Sequence, residues 1–424
     1  MNYDLITELL KTEVIPALGC TEPIAIAMAT AKGTSYLNGA PERIELYLST
    51  NIVKNAMSVG IPGTGSSGIH IAAALGAIAG NADLNLEVLR DATIKDVEDA
   101  KKMVNDQNVS VHLSDRHEKL YIEAICIKGE EQAKVVIKDK HTNIILIEVN
   151  GKVVFTVDES EQTTSANTSN VELSVEKIYN YITNVNADDI KFLLDGAEMN
   201  RKVAEEGLKN DYGMNVGKTL MKSIKEGLIG DDIMSYTMAV TACGADARMS
   251  GCILPVMSSA GSGNQGLTAI LPIVAINEKL KCSEDILVRA LAMSHLITYY
   301  IKSHLGRLSA LCGCGVGAAI GASSAMTYMM GGKLDNVSYT IKNMIGDVSG
   351  MICDGAKPGC ALKLSTAVGA AVKSAILSTR GVEISEKDGI VSKEADKSIR
   401  NLASIANKGM CDCDNVILDI MICK

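Results

Sequence analysis

The stretch LCGCGVGAAIGASSA, residues 311–325, places two cysteines at the start of a run of glycine, alanine and serine. Side chains this small let the backbone of a neighbouring element approach a helix closely. The rest of the chain has the same character, since hydrophobic residues make up 47% of its 424 residues and aromatic residues only 3%. Small and aliphatic side chains must therefore build the core, and we predict buried, closely packed helices.

The hydrophobic pattern divides the chain into a helical body and a β-rich unit. Residues 1–83 and 174–424 mostly show helical patterns and predict one body. Residues 84–161 contain alternating apolar runs, such as LYIEAICIKG and KVVFTVD, around one helix at 93–105, and predict an inserted domain. A polar linker at 162–173 follows. The predicted fold class is α+β, a mainly helical body with Gly/Ala-rich buried helices and a small inserted α+β unit.

The balance of charge argues against a nucleic-acid or membrane-surface partner. The formal net charge is -9 and no Lys/Arg cluster stands out, whereas phosphate binding needs a basic face. Two uncharged stretches, Met249–Asn277 and Leu308–Gly332, are long enough to span a bilayer. Gly, Ser, Pro, Asn or Gln residues interrupt both, so we interpret them as buried core. The first residues lack the basic-then-apolar order of a signal peptide, and we expect a cytoplasmic protein.

The chain contains 12 cysteines, more than packing alone usually needs. In a reducing compartment they do not form a disulfide framework, so metal, cluster or thiol chemistry has to be considered. Cys312 and Cys314 open the Gly-rich stretch, and Cys353 and Cys360 flank the Gly/Pro turn of ICDGAKPGC. These spacings fit zinc poorly. Cys312, Cys353 and Cys360 together suit a cubane iron–sulfur cluster with one iron left without a protein ligand, and the alternative is that they are buried structural cysteines.

Two further segments suggest contacts with a ligand. In GCTEP, residues 19–23, Cys20 lies at the start of a predicted helix, where the helix dipole favours a thiolate. The alternative is a cysteine that packs beneath a turn. SSAGSGNQG at 258–266 joins a Gly/Ser loop to an apolar helix, so its N–H groups and polar side chains can meet an anion. A loop of this composition is also often only a turn.

Six segments together carry a family resemblance. They are GCTEP at 19–23, STNIVKNAM at 49–57, SVGIPGTG at 58–65, SSAGSGNQG at 258–266, LCGCGVGAAIGA at 311–322 and ICDGAKPGC at 352–360. On these segments the chain resembles the L-cysteine desulfidase family, which is related to the α chain of iron–sulfur L-serine dehydratase. The likeness runs nearly from end to end.

The resemblance implies a 4Fe–4S cluster on three cysteines, used for elimination rather than electron transfer. It identifies the ligands with Cys312, Cys353 and Cys360, and it leaves open whether Cys314 contributes. It makes Cys20 the base that removes the substrate α-proton. The implied reaction is the non-redox β-elimination of L-cysteine to hydrogen sulfide, ammonia and pyruvate through 2-aminoacrylate, catalysed by an oxygen-sensitive lyase.

The resemblance also passes through the segments that we expect to bind the substrate. The loop at 258–266 would hold the carboxylate or the amino group, and the segment that begins at residue 49 would form the opposite wall. The predicted substrate-binding residues are Ser49, Asn51, Ser259, Gly261, Gly263 and Asn264.

Three alternatives remain open at this point. An iron–sulfur L-serine dehydratase would use the same site, and we favour cysteine because GCTEP is the desulfidase form of the motif. A pyridoxal-phosphate-dependent lyase fits the Ser/Gly loop, but no lysine is marked by its context as the Schiff base. A membrane or scaffold protein would use the uncharged segments as packing surfaces. We expect a small amino-acid substrate, no nucleic-acid or membrane partner, and a homodimer.

Overall fold

The first part of the chain forms a mixed sheet covered by helices. The structure, a computed structural model, describes residues 3–116, 118–157, 171–306 and 308–423. The elements of this part are α1 (Tyr3–Glu13), β1 (Pro16–Ala17), α2 (Thr21–Thr34), β2 (Arg43–Leu48), α3 (Thr50–Ala56), α4 (Ile69–Ala79), α5 (Ile94–Asn105), β3 (Val109–Leu113), β4 (Tyr121–Lys128), β5 (Glu131–Lys138), β6 (Ile144–Val149) and β7 (Lys152–Thr156).

The sheet contains six strands in the order β3-β2-β4-β5-β6-β7. Strand β2 runs parallel to β3 and antiparallel to β4, and the later strands form an antiparallel meander. The alternation in β2 buries Ile44, Leu46 and Leu48 on one face, as a half-buried strand requires. Helices α2, α4 and α5 share one hydrophobic core with this face.

The second part of the chain is helical. Its elements are α6 (Val175–Asn184), α7 (Ala187–Ile190), α8 (Leu193–Lys209), α9 (Val216–Lys225), α10 (Ile233–Met249), β8 (Val256–Met257), α11 (Gly263–Leu280), α12 (Glu284–Leu305), α13 (Ala319–Met329), α14 (Leu334–Val348), α15 (Cys360–Thr379), α16 (Ala395–Ser404) and α17 (Cys413–Ile422). The short strand β8 pairs with β1, and α17 packs on α3, so both parts of the chain are tied together. The predicted α+β fold class with a mainly helical body is confirmed.

The observed packing differs from the predicted division at residue 83. Strand β2 lies inside the six-stranded sheet, so residues 43–48 belong with the β-rich unit and not with the helical body. The alternating run LNLEVL at 84–89, with which the predicted inserted domain begins, is not a strand, because most of it falls in a 3₁₀ turn, Ala82–Glu87, in which Asn85 has a φ of 48°. Alternation identifies a strand but not its distant partner, which is why the sequence pattern missed this pairing. Of the predicted linker, residues 162–170 lie outside the described residues.

Close helix packing occurs where the sequence predicted it. A Cβ atom on Gly76 of α4 would lie 2.3 Å from the carbonyl oxygen of Ala27 in α2, and one on Gly321 of α13 would lie 2.5 Å from that of Ser294 in α12. Real Cβ atoms do not approach a backbone oxygen so closely, so both helix pairs depend on glycine.

One helix, α15, is long and apolar enough to cross a membrane by length and composition alone. Within its most apolar window, 61% of the residues are buried inside the protein. Core helices of globular proteins meet the same criteria, so this helix is weak evidence for a membrane span. The two uncharged stretches noted in the sequence are broken into separate elements, namely β8 with α11 and a turn with α13.

Candidate active site

Backbone pairing joins the two cysteine-bearing segments. Leu311 and Ile352 form an isolated antiparallel bridge. On either side of it, the N–H of Cys312 donates to the carbonyl of Met351 at 2.9 Å, and the N–H of Cys353 donates to that of Ala310 at 2.7 Å. The Gly-rich stretch and the Gly/Pro turn are therefore neighbours, and their first cysteines lie side by side.

Four thiols line one cavity between the two parts of the chain. Cys312 precedes a π-helical turn, Gly313–Ala318, that contains Cys314, while Cys353 lies in the loop after α14 and Cys360 begins α15. The structure thus brings together the three predicted cluster ligands, with Cys314 beside them.

The four thiols differ in their electrostatics. A hydrogen bond from the thiol of Cys314 lowers the pKa of Cys312 to about 6. Burial acts in the opposite direction, and the hydrogen bond from the N–H of Gly315 lowers this pKa further. The same hydrogen bond, together with burial, raises the pKa of Cys314. Burial also raises the pKa of Cys353 and of Cys360. The pair at 312 and 314 therefore favours a thiolate on Cys312, which agrees with the predicted ligand choice, although that choice stays a prediction.

A buried ion pair supports the loop that carries Cys353. The Nζ atom of Lys54, whose side chain is 1% exposed, pairs with Asp414 of α17 and donates to the carbonyl oxygen of Cys353 at 3.0 Å. The amide of Asn51 donates to the other oxygen of Asp414 at 2.8 Å. A Cβ on Gly355 would lie 2.2 Å from the carbonyl oxygen of Lys54, so the turn packs directly on α3.

The predicted wall at residue 49 is structural. Ser49 accepts a hydrogen bond from the N–H of Tyr121 at 3.2 Å and donates to the carbonyl of Lys119 at 3.0 Å. Asn51 is held by Asp414, and neither residue lines the cavity. The side chain of Ser49 thus ties the start of α3 to β4 and the residues before it, and that of Asn51 ties α3 to α17.

Cys20 lies on the cavity wall with a buried carboxylate behind it. Its thiol donates to Oε2 of Glu22 at 3.2 Å, and the amide of Asn55 donates to Oε1 at 3.1 Å. Nε2 of His141, from the β5–β6 connection, lies 3.8 Å from Oε1. Both Glu22 and His141 are buried. Cys20 also packs with Val59 in a small apolar cluster, so the packing role considered from sequence is present as well.

The electrostatics of this group reverse the expectation for Cys20. Burial, followed by the charge of Glu22, raises the pKa of Cys20 well above its usual value, which outweighs the helix dipole and the nearby Arg248. Burial alone would raise the pKa of Glu22, but His141 and the hydrogen bond from Cys20 lower it. The resting pair is therefore a thiol and a carboxylate.

The loop before α11 contributes part of its predicted contacts. Gly261 and Asn264 line the cavity, together with Ser262 and Gln265. Ser259 instead pairs with Nδ1 of His295 at 2.9 Å and does not line it.

Three functional candidates were missed in the sequence, namely Lys54, His141 and Arg248. Lys54 and Arg248 lie in helices rich in apolar and small residues, a pattern that signals a buried charge. His141 lies in a polar turn, DKHTN, that carries no such signal.

The cavity fits an iron–sulfur cluster in the chemistry of its donors. Besides Cys20, its walls carry four thiols. The positive charges of Lys54 and Lys363 act to lower the pKa of Cys353, and that of Lys363 also acts to lower the pKa of Cys312. Within the described ranges, no group of three or more His, Cys, Asp or Glu side chains is arranged to hold a single metal ion. A cubane presents its irons at separate corners and needs thiols spread around a cavity, so these cysteines suit it better than a mononuclear site.

Comparisons with known proteins show which family the chain resembles. Residues 83–419 match the family described as the serine dehydratase alpha chain. Similar proteins include a UPF0597 protein of Parabacteroides distasonis, 46% identical over 419 residues (98% of this chain and 97% of the relative). Another, from Alkaliphilus oremlandii, is 43% identical over 420 residues (99% and 98%).

The matched family is iron–sulfur dependent and consists of lyases of the dehydratase type. The relationship to the iron–sulfur serine dehydratase α chain that the six segments predicted is confirmed. Because the match covers most of the chain and the relatives cover nearly all of it, the chain belongs to the serine dehydratase alpha chain family.

Proposed function

We propose that the protein is an L-cysteine desulfidase, a carbon–sulfur lyase that releases hydrogen sulfide, ammonia and pyruvate. The observation that carries the proposal is that Cys20, backed by Glu22, lines the same cavity as Cys312, Cys353 and Cys360. β-Elimination needs a proton acceptor on one side of the substrate and a sink for the leaving group on the other. The two groups of side chains suit these two tasks.

In this proposal Cys312, Cys353 and Cys360 hold a 4Fe–4S cluster, and Cys314 remains a neighbouring thiol. When bound, such a cluster supplies a Lewis acid for the departing sulfur at the iron that lacks a protein ligand. The buried cation of Lys54 steadies the Cys353 peptide and offsets part of the thiolate charge.

Cys20 and Glu22 move the proton. Oε2 of Glu22 takes the thiol proton of Cys20 as the sulfur takes the α-proton of the substrate. The Cα–H electron pair becomes the second bond between Cα and Cβ. The Cβ–S bond breaks at the same time, and the sulfur leaves with the electron pair of the Cβ–S bond. The pKa of Glu22 is lowered and that of Cys20 is raised, so moving the proton from Cys20 to Glu22 costs free energy in the resting protein. This transfer therefore has to be coupled to the transfer of the α-proton from the substrate to Cys20. The product 2-aminoacrylate tautomerises to an imine, which water hydrolyses to pyruvate and ammonia.

An L-serine dehydratase is the second candidate. The family match favours it, because the matched family is named for serine dehydratase. The same residues would act, with the hydroxyl of serine in place of the thiol. We favour cysteine because GCTEP is the desulfidase form of the motif, in the resemblance noted above.

The test uses protein purified without oxygen. L-Cysteine and L-serine are compared by sulfide and pyruvate release, with iron and acid-labile sulfide measured on the same samples. We expect equal amounts of sulfide and pyruvate from cysteine, and a kcat/KM for serine at least ~10-fold lower. Higher turnover of serine would replace the proposal by its rival.

Cysteine variants test whether this activity depends on the thiol wall, the part of the cavity wall formed by Cys312, Cys314, Cys353 and Cys360. Cys353→Ala is expected to lose its iron and to slow sulfide release at least ~100-fold, because a metal Lewis acid supplies several kcal/mol. Cys282→Ala is the matched control, since Cys282 does not line the cavity. Sulfide release from iron-free wild-type protein would refute the mechanism, and an aldimine absorbance band without iron would establish the pyridoxal-phosphate alternative.

A further inference from the structure

Arg248 is a buried cation without a carboxylate partner in the part of the chain that the structure describes. It lies in the last turn of α10 and is 3% exposed. A buried charge that lacks a counter-charge is costly, and proteins keep one where a ligand or a function requires it. Lys363, another cation on the cavity wall, is by contrast paired with Asp354.

The guanidinium of Arg248 is held firmly by two hydrogen bonds. One N–H group donates to Oδ1 of Asn264 at 2.8 Å, and another donates to the carbonyl oxygen of Gly19 at 2.7 Å. Nε is buried and has no hydrogen-bond partner in the described residues. Both partners are neutral, so they orient the guanidinium without cancelling its charge. Arg248 lines the cavity together with Cys20, the residue that follows Gly19.

Gly263 makes room for this side chain. A Cβ at this position would lie 2.5 Å from Nε and 2.6 Å from Cζ of Arg248. Any other residue would push the guanidinium out of place, because both hydrogen bonds leave it little freedom. The role that the sequence predicted for Gly263, direct contact with the substrate, is thus better explained as space for the group that makes the contact.

The start of α11 adds a second favourable feature for an anion. This helix of 18 residues begins at Gly263, and its N-cap residue Ser262 makes no side-chain capping hydrogen bond. Gly261, Ser262, Asn264 and Gln265 line the cavity, so the positive end of the helix dipole faces it. The buried guanidinium and the helix end therefore favour negative charge at the same place.

We propose that Arg248 binds the α-carboxylate of the amino-acid substrate. Guanidinium and carboxylate match in shape and charge and form paired hydrogen bonds. A substrate anchored here has its Cα near Cys20, because the same guanidinium is bonded to the peptide that precedes Cys20. That the bound amino acid then reacts rests on the proposed function. The binding of its carboxylate by Arg248 does not.

Binding of two thiol probes tests the assignment without turnover. 3-Mercaptopropionate carries a carboxylate and no amine, and cysteamine carries an amine and no carboxylate. Calorimetric titrations on the iron-loaded protein compare the wild type with Arg248→Gln and Arg248→Lys. We expect Arg248→Gln to weaken 3-mercaptopropionate about 10- to 100-fold, since hydrogen bonds to charged groups contribute at this level, and cysteamine by less than ~3-fold. Arg248→Lys should restore part of the affinity, because it keeps the charge but loses the paired geometry.

Two further variants keep the test decisive. Gly263→Ala should reproduce the selective loss for 3-mercaptopropionate by displacing Arg248. Arg289→Gln is the matched control, because Arg289 pairs with Asp285 on α12 and does not line the cavity. The assignment would be overturned if Arg248→Gln and Arg248→Lys weakened the binding of both probes equally. It would also be overturned if neither variant weakened the binding of 3-mercaptopropionate. If Arg248-dependent binding is found but L-cysteine yields no sulfide, the assignment stands and the proposed function fails.

Discussion

The two walls of the cavity are built in different ways. The thiol wall is fixed by backbone hydrogen bonds around the Leu311–Ile352 bridge, within the helical part of the chain. The other wall is a side-chain network in which Cys20, Glu22 and His141 come from the α/β part, and it adjoins the thiol wall where Cys20 and Cys360 pack in one small cluster. The comparison indicates that cofactor binding and proton transfer are separable: substitutions in one wall should change the iron content, and substitutions in the other should change the rate or its pH dependence.

Of these variants, Lys54→Met should have the largest effect, a loss of stability and of bound iron at the thiol wall. The substitution leaves Asp414 buried without its partner and frees the carbonyl oxygen of Cys353. Breaking a buried ion pair typically costs about 3–5 kcal/mol of folding free energy. We expect a loss of stability of this size in anaerobic chemical denaturation, together with a loss of bound iron. Lys202→Met, which removes an exposed pair with Glu198, is the control and should change neither.

Glu22→Gln should affect the other wall alone. The amide keeps the shape of the side chain but cannot accept the proton of Cys20. Loss of a general base typically lowers kcat by about 100- to 10,000-fold. Iron content should equal that of the wild type, measured on the same anaerobic sample. A variant that loses iron in proportion to its activity would show that the two walls are not separable.

Cys312 and Cys314 allow a comparison of two neighbouring thiols within the thiol wall. Cys312→Ala should abolish iron binding, whereas Cys314→Ala should retain most of the iron, since the proposed cluster takes Cys312 as its ligand and leaves Cys314 as a neighbouring thiol on the cavity wall. Iron analysis of the two variants side by side decides the ligand. Equal loss in both would make Cys314 a ligand as well.

His141→Gln should have the smallest effect, visible in the pH profile. His141 lowers the pKa of the Glu22 carboxyl, so without it that pKa rises. The carboxylate form then requires a higher pH, and the acidic limb of kcat/KM should move to higher pH while the iron content stays unchanged. An acidic limb at the wild-type position would show that His141 does not act through Glu22.

The sequence predicted the helical body, the close helix packing and the meeting of the cysteine segments. The cysteine segments could be predicted locally, because glycine and proline keep these segments from forming regular helices and let their thiols point to one side. Local motifs could not predict the parallel pairing of β2 with β3, nor the roles of Ser49 and Asn51. Both depend on partners far away in the chain, Val109–Leu113 for the strand and Asp414 for Asn51. Arg248 was missed for the same reason, because only the folded chain reveals a charge without a counter-charge.

The bridge between Leu311 and Ile352 also bears on how the protein matures. Helices α13 and α14 lie between these two residues in the chain, so bringing Cys312 and Cys353 together closes a loop that contains both helices. Asp414, which fixes Lys54 beneath Cys353, comes later still in synthesis. On the proposed function, the site for the cluster is therefore complete only once α17 has been synthesised, and a fragment that ends before α17 would lack the support that Lys54 receives from Asp414.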